Sequence, residues 1–245
     1  MVKYDEEKRS YFDSSGNKYN RVSDILKAVE PIFPRDAIAR AIAKRNGMTV
    51  DEVQAEWEVK AKATRDIGNE IHGALDDSNK GTLDGSNYWY LMAEVVHEKY
   101  FKEYSVVASE KILSSADFRL AGCVDRICYR NKTIADIRDF KTNEIKGVQY
   151  RDEYNKYFRD PLPWLENTNY NRLALQLSLY GLLMEDTTKY KVGNLAGIFI
   201  PPHDPMNHSY IPVPYMKLEA QLLIRHYMSE NHVEPLRTEE VTPFS

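Results

Sequence analysis

The sequence predicts an α/β fold with a central mixed β-sheet flanked by helices and a mainly helical N-terminal portion. Three observations lead to this prediction. Helical patterns dominate the first hundred residues, a period-two pattern follows between residues 104 and 142, and the rest of the chain has a helix–strand–helix order. A chain of 245 residues with 42% hydrophobic content can bury a substantial core, so we expect a single domain over residues 1–245.

The predicted elements divide this domain into an N-terminal portion, residues 1–103, and a core, residues 104–245. A Ser-Ser-Gly-Asn turn indicates a hairpin over residues 3–21. Gly68 predicts a break or kink in a long helix that carries His72. The other predicted helices cover residues 24–29, 36–46, 88–101, 169–184 and 216–231, and the long one begins at a Thr49–Glu52 capping box. The predicted strands cover residues 104–113, 117–129, 133–142 and 192–201, the first three as an antiparallel meander.

The overall charge gives no general case for nucleic-acid binding. The formal net charge is −4, whereas proteins that bind nucleic acids without sequence preference usually carry a basic excess. Attraction for phosphate would therefore come from local patches or from a bound cation. One candidate patch comprises Arg40, Lys44 and Arg45 on a predicted helix, although such a face is more often simply solvated.

Both cysteines, Cys123 and Cys128, fall in one predicted strand. Regular alternation places them on opposite faces, which argues against a disulfide and for a reducing compartment. Two thiols are also too few for a four-cysteine zinc or iron–sulfur site. The charged N-terminus is unlike a signal peptide and no apolar run reaches membrane-spanning length, so we expect a soluble intracellular protein.

Asp139 and Lys141 share one face of a predicted strand, and the preceding strand carries Asp125. Depending on where the turn is centred, Asp125 lies diagonal to Asp139 or directly opposite it, with Cβ atoms roughly 4.5–8 Å apart. Two carboxylates so close together repel each other in a partly buried setting unless a cation lies between them. The pattern therefore predicts a divalent metal beside Lys141, a combination that suits phosphodiester hydrolysis.

The spacing of Asp139 and Lys141 is not distinctive by itself, because short motifs recur by chance. What favours this pair is its place at the end of a strand whose hairpin partner carries Asp125 after a glycine. The same spacing also occurs at Glu6 and Lys8, at Glu58 and Lys60, and at Glu144 and Lys146.

An ordered series of motifs resembles the PD-(D/E)XK nuclease superfamily, and within it the RecB-like branch, which includes the mitochondrial genome maintenance exonuclease and many phage exonucleases. The resemblance covers roughly residues 68–180 and implies a restriction-endonuclease-like core. Each motif is weak alone, and their order on the expected elements is what makes them specific. They are Gly68-Asn-Glu-Ile-His72, Glu110 in Ala-Ser-Glu-Lys, Gly122-Cys-Val-Asp125, Asp139-Phe-Lys141 and Gln176-Leu-Ser-Leu-Tyr180.

The resemblance implies that His72, Asp125 and Asp139 ligate a Mg²⁺ or Mn²⁺ ion and that the Phe140 carbonyl adds a backbone ligand. Lys141 would activate the attacking water and stabilise the transition state. A lone histidine on a helix is more often a structural residue, so the ligand role of His72 depends on the resemblance. The chain lacks the four iron–sulfur cysteines of some relatives, which places it nearer the cluster-free members.

Three further candidates each have a structural alternative. Glu110 would approach a second metal or orient water, but an exposed strand glutamate is the simpler interpretation. Gln176 and Tyr180 share a helix face with Arg172, where they would contact the scissile phosphate or Lys141. The alternative is a hydrogen-bonded trio in the core.

Residues 146–172 combine cations with aromatic rings, a pattern typical of single-strand channels. Acids in the same stretch nearly cancel its charge, and tyrosine-rich loops often pack on their own domain. The basic residues are Lys146, Arg151, Lys156, Arg159 and Arg172, and the aromatic ones are Tyr150, Tyr154, Tyr157, Phe158, Trp164 and Tyr170.

We therefore expect a metal-dependent DNA exonuclease that acts on single-stranded or duplex ends in phage or cellular recombination, repair or processing. The expected compartment is the cytoplasm of a bacterium or a phage-infected cell, with a single-strand-binding or recombination protein as a candidate partner. The sequence predicts no oligomeric state. The alternatives are a structure-specific endonuclease with the same site, a catalytically silent nucleic-acid-binding module, and an enzyme acting on a small phosphoester.

Overall fold

The computed structural model describes residues 1–82, 88–142, 157–231 and 233. Within them, an eight-stranded mixed sheet is flanked by six helices, so the predicted α/β class with an N-terminal helical portion is confirmed. The strands are β1 Lys3–Asp5, β2 Ser10–Phe12, β3 Lys18–Arg21, β4 Val106–Ser115, β5 Leu120–Tyr129, β6 Ile134–Lys141, β7 Lys191–Phe199 and β8 Ser209–Val213. The helices are α1 Val22–Val29, α2 Arg35–Asn46, α3 Val50–Lys80, α4 Tyr88–Tyr100, α5 Asn169–Thr187 and α6 Lys217–Glu230.

The sheet follows the order β1-β2-β3-β5-β6-β7-β8, with β4 paired to β5 off this path. β4, β5 and β6 form the predicted antiparallel meander. The sheet is mixed because β3 pairs with β5 in parallel, and β6 with β7. The connection from β6 to β7 contains α5, as a parallel pair requires a crossover.

Helix α3 carries the predicted capping box, in which the side chain of Thr49 accepts from the backbone of Glu52 and the Glu52 side chain accepts in return. The helix runs without interruption over 31 residues, Val50–Lys80, so the alternative of a break at Gly68 is wrong and that of a kink stays a prediction. A Cβ atom at Gly68 would lie 3.3 Å from Oγ1 of Thr142. The glycine therefore lets α3 pass close to the end of β6 without interrupting the helix.

Two parts of the sheet differ from the sequence prediction. The N-terminal hairpin is a meander of three short strands, β1 to β3. Strand β8 was not predicted, and it contains Pro212, which cannot donate a backbone hydrogen bond. The proline is tolerated because β8 lies at the edge of the sheet, and the same proline hides the strand from sequence patterns.

Apolar side chains pack on both faces of the sheet. One face is covered by α5 together with α1 and α6, and α5 is buried on nearly all sides, which explains its continuous apolar sequence. The other face is covered by α3 and α4, with Ile71 and Met92 fully buried. None of the helices in the described ranges is long and apolar enough to cross a membrane.

Candidate metal centre

One edge of β5 is paired in two separate places. β3 pairs there with Leu120 and Ala121, and β6 pairs with residues 126–129. β4 lines the other edge along most of the strand. In the described pairings, residues 122–125 therefore have no strand beside them on the β6 side, and this gap contains the Gly-x-x-Asp motif.

Asp125 lies where β5 and β6 separate, next to the last paired residues, Arg126 and Arg138. The register, if continued, would place Asp125 opposite Asp139. Instead of a backbone pair, Oδ2 of Asp125 accepts a hydrogen bond of 2.7 Å from the backbone N–H of Phe140. The structure thus brings Asp125 and Asp139 together at the fork between the strands.

The electrostatics at the fork favour a cation. Burial, and then the nearby Asp139 carboxylate, raise the pKa of Asp125 well above its usual range, despite the hydrogen bond from Phe140. Asp139 is 4% exposed. Its Oδ1 accepts from Nε2 of Gln176 at 3.1 Å, and its buried Oδ2 faces the Lys141 ammonium. Each carboxylate oxygen has two lone pairs, so an oxygen that meets one ammonium can also bind a hard metal ion.

Lys141 supplies the one lysine ammonium at the fork in the described part of the chain. Its Nζ forms an ion pair with Oδ2 of Asp139 at 2.6 Å and donates to Oε1 of Gln176 at 3.1 Å. Burial by itself would lower the pKa of Lys141, but the Asp139 carboxylate outweighs it and the pKa is raised. Lys141 is therefore protonated at neutral pH.

A histidine and two carboxylates gather on the α3 side of the fork. One ligand atom each of His72, Glu110 and Asp125 lies within 4.8 Å of the others, and Nδ1 of His72 is 3.8 Å from Oδ2 of Asp125. Burial lowers the pKa of His72 although Asp139 and Glu110 oppose the shift. The imidazole is therefore neutral at pH 7, which is the form that binds metals.

Glu110 reaches this group through a local distortion of the β4–β5 ladder. Ser109 pairs with Arg126 and Lys111 with Val124, so Glu110 and Asp125 are both skipped. Glu110 also has a left-handed backbone, with φ of 48°. Such a conformation costs energy for a residue other than glycine and is concentrated at functional sites.

The distortion also resets the alternation of side chains along β5. Val124 and Ile127 are three residues apart yet pack in the same core cluster. The prediction that Cys123 and Cys128 lie on opposite faces is therefore wrong: Cys128 packs against the α3–α4 layer, and Cys123 donates to Oε2 of Glu110 at 3.2 Å on the same side. Both cysteines are free thiols, as predicted.

Gln176 and Tyr180 reach the fork from α5. Gln176 bridges Lys141 and Asp139, and its Nε2 lies 3.4 Å from the Tyr180 hydroxyl. The Tyr180 ring lies against Gly122, where a Cβ atom would come within 2.5 Å of the ring. The glycine of the Gly-x-x-Asp motif thus makes room for an aromatic ring on the face of β5 that α5 and α1 cover.

Other predicted residues lie elsewhere. Arg172 is held by Asn167 and Glu30 near the end of α1 and does not join the fork. The backbone of Phe140 lies beside Asp125, while its role as a carbonyl ligand stays a prediction.

The basic and aromatic stretch is only partly described. Its residues Lys146, Tyr150, Arg151, Tyr154 and Lys156 lie outside the described residues. Among the others, Phe158 is buried in the core and Arg159 donates to the carbonyls of Ala28 and Glu30. Tyr157 and Trp164 are exposed.

The donors at the fork fit a hard divalent cation. They are carboxylate oxygens and one neutral imidazole, the set that suits Mg²⁺ or Mn²⁺. The group differs from the predicted one in one respect: Glu110 joins His72 and Asp125, whereas Asp139 faces Lys141 and Gln176.

Comparisons with known proteins add little to this geometry. No protein-family model matches the chain, and no curated protein matches it. The crystal structure of SSO0001 is 14% identical, with 88% of this chain and 76% of that chain covered and a TM-score of 0.35. The structure named "Putative exonuclease" from Eubacterium rectale is 15% identical, with 72% of each chain covered and a TM-score of 0.41. At this similarity neither carries a functional argument.

Proposed function

We propose that the protein is a metal-dependent nuclease that hydrolyses phosphodiester bonds in DNA, with its active site at the fork between β5 and β6. The observation that carries this proposal is the convergence of His72, Glu110 and Asp125 beside the Asp139–Lys141 pair. Together they combine a cation site with a lysine ammonium. The motif resemblance to RecB-like PD-(D/E)XK nucleases points the same way.

A Mg²⁺ or Mn²⁺ ion would be held by His72 and Asp125, with Glu110 or Asp139 completing the carboxylate set. When bound, the ion supplies Lewis-acid chemistry, neutralising charge on the phosphodiester and promoting the ionisation of water. The excess of carboxylates over cations at the fork is what makes the site suitable for it.

Lys141 acts as a fixed positive charge. Its raised pKa keeps it protonated, so it stabilises negative charge that develops on a phosphoryl oxygen. Gln176 holds the ammonium through its Oε1 and the Asp139 carboxylate through its Nε2, which fixes the two relative to each other. Orientation of this kind is worth most when the groups cannot rotate away during the reaction.

The substrate and mode of action follow from the resemblance. We propose an exonuclease that acts on single-stranded or duplex DNA ends in recombination, repair or processing, in a phage-infected or bacterial cell. Tyr157 and Trp164 are exposed aromatic residues that would stack on unpaired bases.

The test compares end-labelled linear DNA, single- and double-stranded, with closed circular DNA, in Mg²⁺, Mn²⁺ and chelator. We expect cleavage of linear DNA that depends on the metal and falls by about 100-fold or more in Lys141→Ala. Lys60→Ala is the matched control, since Glu58 and Lys60 repeat the acid–lysine spacing on the exposed part of α3. Cleavage of closed circles would show an endonuclease, and full activity of Lys141→Ala or in chelator would contradict the proposal.

A further inference from the structure

A single buried cation contacts all three segments that carry the candidate metal ligands. Arg126 follows Asp125 on β5 and is 2% exposed. Its guanidinium donates to the backbone carbonyl of Leu75 on α3 and to that of Asp125, the latter at 2.7 Å. It also lies over the ring of Phe140 on β6, 5.2 Å from the ring centroid.

Each of these contacts lies next to a candidate ligand. Leu75 is one helical turn beyond His72. Asp125 is itself in the ligand group, and the N–H of Phe140 donates to its carboxylate. The ring of Phe140 meets the His72 ring edge-on, with centroids 5.9 Å apart. Arg126, Phe140 and His72 therefore pack in series, with the Phe140 ring between the guanidinium and the imidazole.

The neighbouring Arg138 has different partners from Arg126. It is the cross-strand partner of Arg126, equally buried, and lies over the ring of Tyr210. However, Arg138 has a carboxylate partner, Asp136, at 2.9 Å. In the described part of the chain, Arg126 forms no ion pair and uses its donors on carbonyl groups, while the carboxylates of Asp125, Asp76 and Glu110 act on it from beyond ion-pair distance.

We propose that Arg126 is a positioning residue that fixes α3, β5 and β6 relative to one another and thereby sets the metal affinity of the site. The inference rests on the proposed function, because it assumes that His72 and Asp125 bind the metal. An arginine suits this role since its planar guanidinium can donate in two directions while its face packs on an aromatic ring. A lysine ammonium at the same position cannot satisfy two separated carbonyls and a ring together.

The test measures Mn²⁺ binding by electron paramagnetic resonance in Arg126→Lys, Arg126→Met and Arg138→Lys, with urea unfolding of each. We expect the Mn²⁺ dissociation constant to rise about tenfold in both Arg126 variants, because outer-shell groups that orient ligands have effects of this size. Arg138→Lys is the matched control, and its Mn²⁺ affinity should change by less than about twofold.

The two Arg126 variants separate positioning from charge. Arg126→Lys keeps the positive charge and loses the geometry, so weakened binding in this variant supports positioning. Arg126→Met removes a positive charge near the ion, and parental or tighter Mn²⁺ binding in this variant would overturn the inference. A folded parent protein that binds no Mn²⁺ would overturn the proposed metal centre itself. Mn²⁺ binding by the parent that is unchanged in both Arg126 variants would overturn the positioning role alone.

Discussion

Two buried acidic sites on β6, centred on Asp136 and Asp139, differ in how completely they are neutralised. Asp136 accepts hydrogen bonds from the side chains of Tyr104, Arg130 and Arg138 and from the backbone N–H of Asn194. Burial raises the pKa of Asp136, but these hydrogen bonds and the positive charge of Arg138 outweigh it, so the net shift is downward.

At the fork, carboxylates outnumber the cations that could neutralise them. The partly buried Asp125, the buried Asp139 and the exposed Glu110 meet the Lys141 ammonium, the Arg126 guanidinium and a neutral histidine, and the pKa of Asp125 is still raised well above its usual range. Removing one partner of a buried ion pair is strongly destabilising, whereas a cluster with more carboxylates than cations is relieved when it binds a cation. The comparison therefore assigns a structural role to Asp136 and supports a cation-binding role for the fork.

The largest effect that we expect is a loss of stability when the carboxylate of Asp136 is removed. Asp136→Asn leaves the buried Arg138 without its carboxylate and should lower the free energy of unfolding by about 3–5 kcal/mol. Urea unfolding at neutral pH measures the change. A loss below about 1 kcal/mol, the range of an exposed ion pair, would show that the fold does not depend on Asp136 to neutralise Arg138.

A metal ion bound at the fork should stabilise the folded protein. Mn²⁺ at 100 times its dissociation constant is expected to add about 2.7 kcal/mol to the free energy of unfolding of the parent protein. Asp125→Asn should gain much less, because it loses a ligand. Thermal unfolding with and without Mn²⁺ tests both proteins, and equal stabilisation of the two would place the ion elsewhere.

Without metal, removing a charge from the fork should help the fold. We expect Asp125→Asn to be more stable than the parent in chelator by about 1 kcal/mol, because a carboxylate whose charge is disfavoured by burial and by Asp139 disappears. DNA cleavage should be lost in the same variant. Destabilisation of the metal-free variant would mean that the Asp125 carboxylate is already satisfied by the protein.

The smallest effect that we expect is a change, at acid pH, in the stability difference between the parent and Asp136→Asn. A carboxylate whose pKa is lower in the folded than in the unfolded protein stabilises the fold above the unfolded pKa, about 3.9, and the stabilisation is lost as pH falls through the folded pKa. The stability difference between the parent and Asp136→Asn should therefore be constant between about pH 5 and about pH 7, above that window, and should shrink below about pH 4. Unfolding curves across this range test the sign.

The residues of the fork could be predicted from sequence to different degrees. The sequence predicted that Asp125, Asp139 and Lys141 lie close together, because a short hairpin and regular alternation bring them to one place. Glu110 was the least certain candidate, and its approach depends on a ladder distortion that period-two patterns do not contain. Arg126 was not singled out, although a charged residue inside an apolar strand is a signal that it needs a buried partner.

The amino-acid sequence by itself determined the local elements of this protein: the capping box of α3, the three-stranded meander, the apolar α5 and the kind of donor atoms available. These follow from hydrogen bonds and periodicity within a few residues. The tertiary structure decided the gap beside β5, the uninterrupted passage of α3 over Gly68 and the convergence on Arg126. Such features depend on contacts between segments far apart in the chain, whose packing no local pattern specifies.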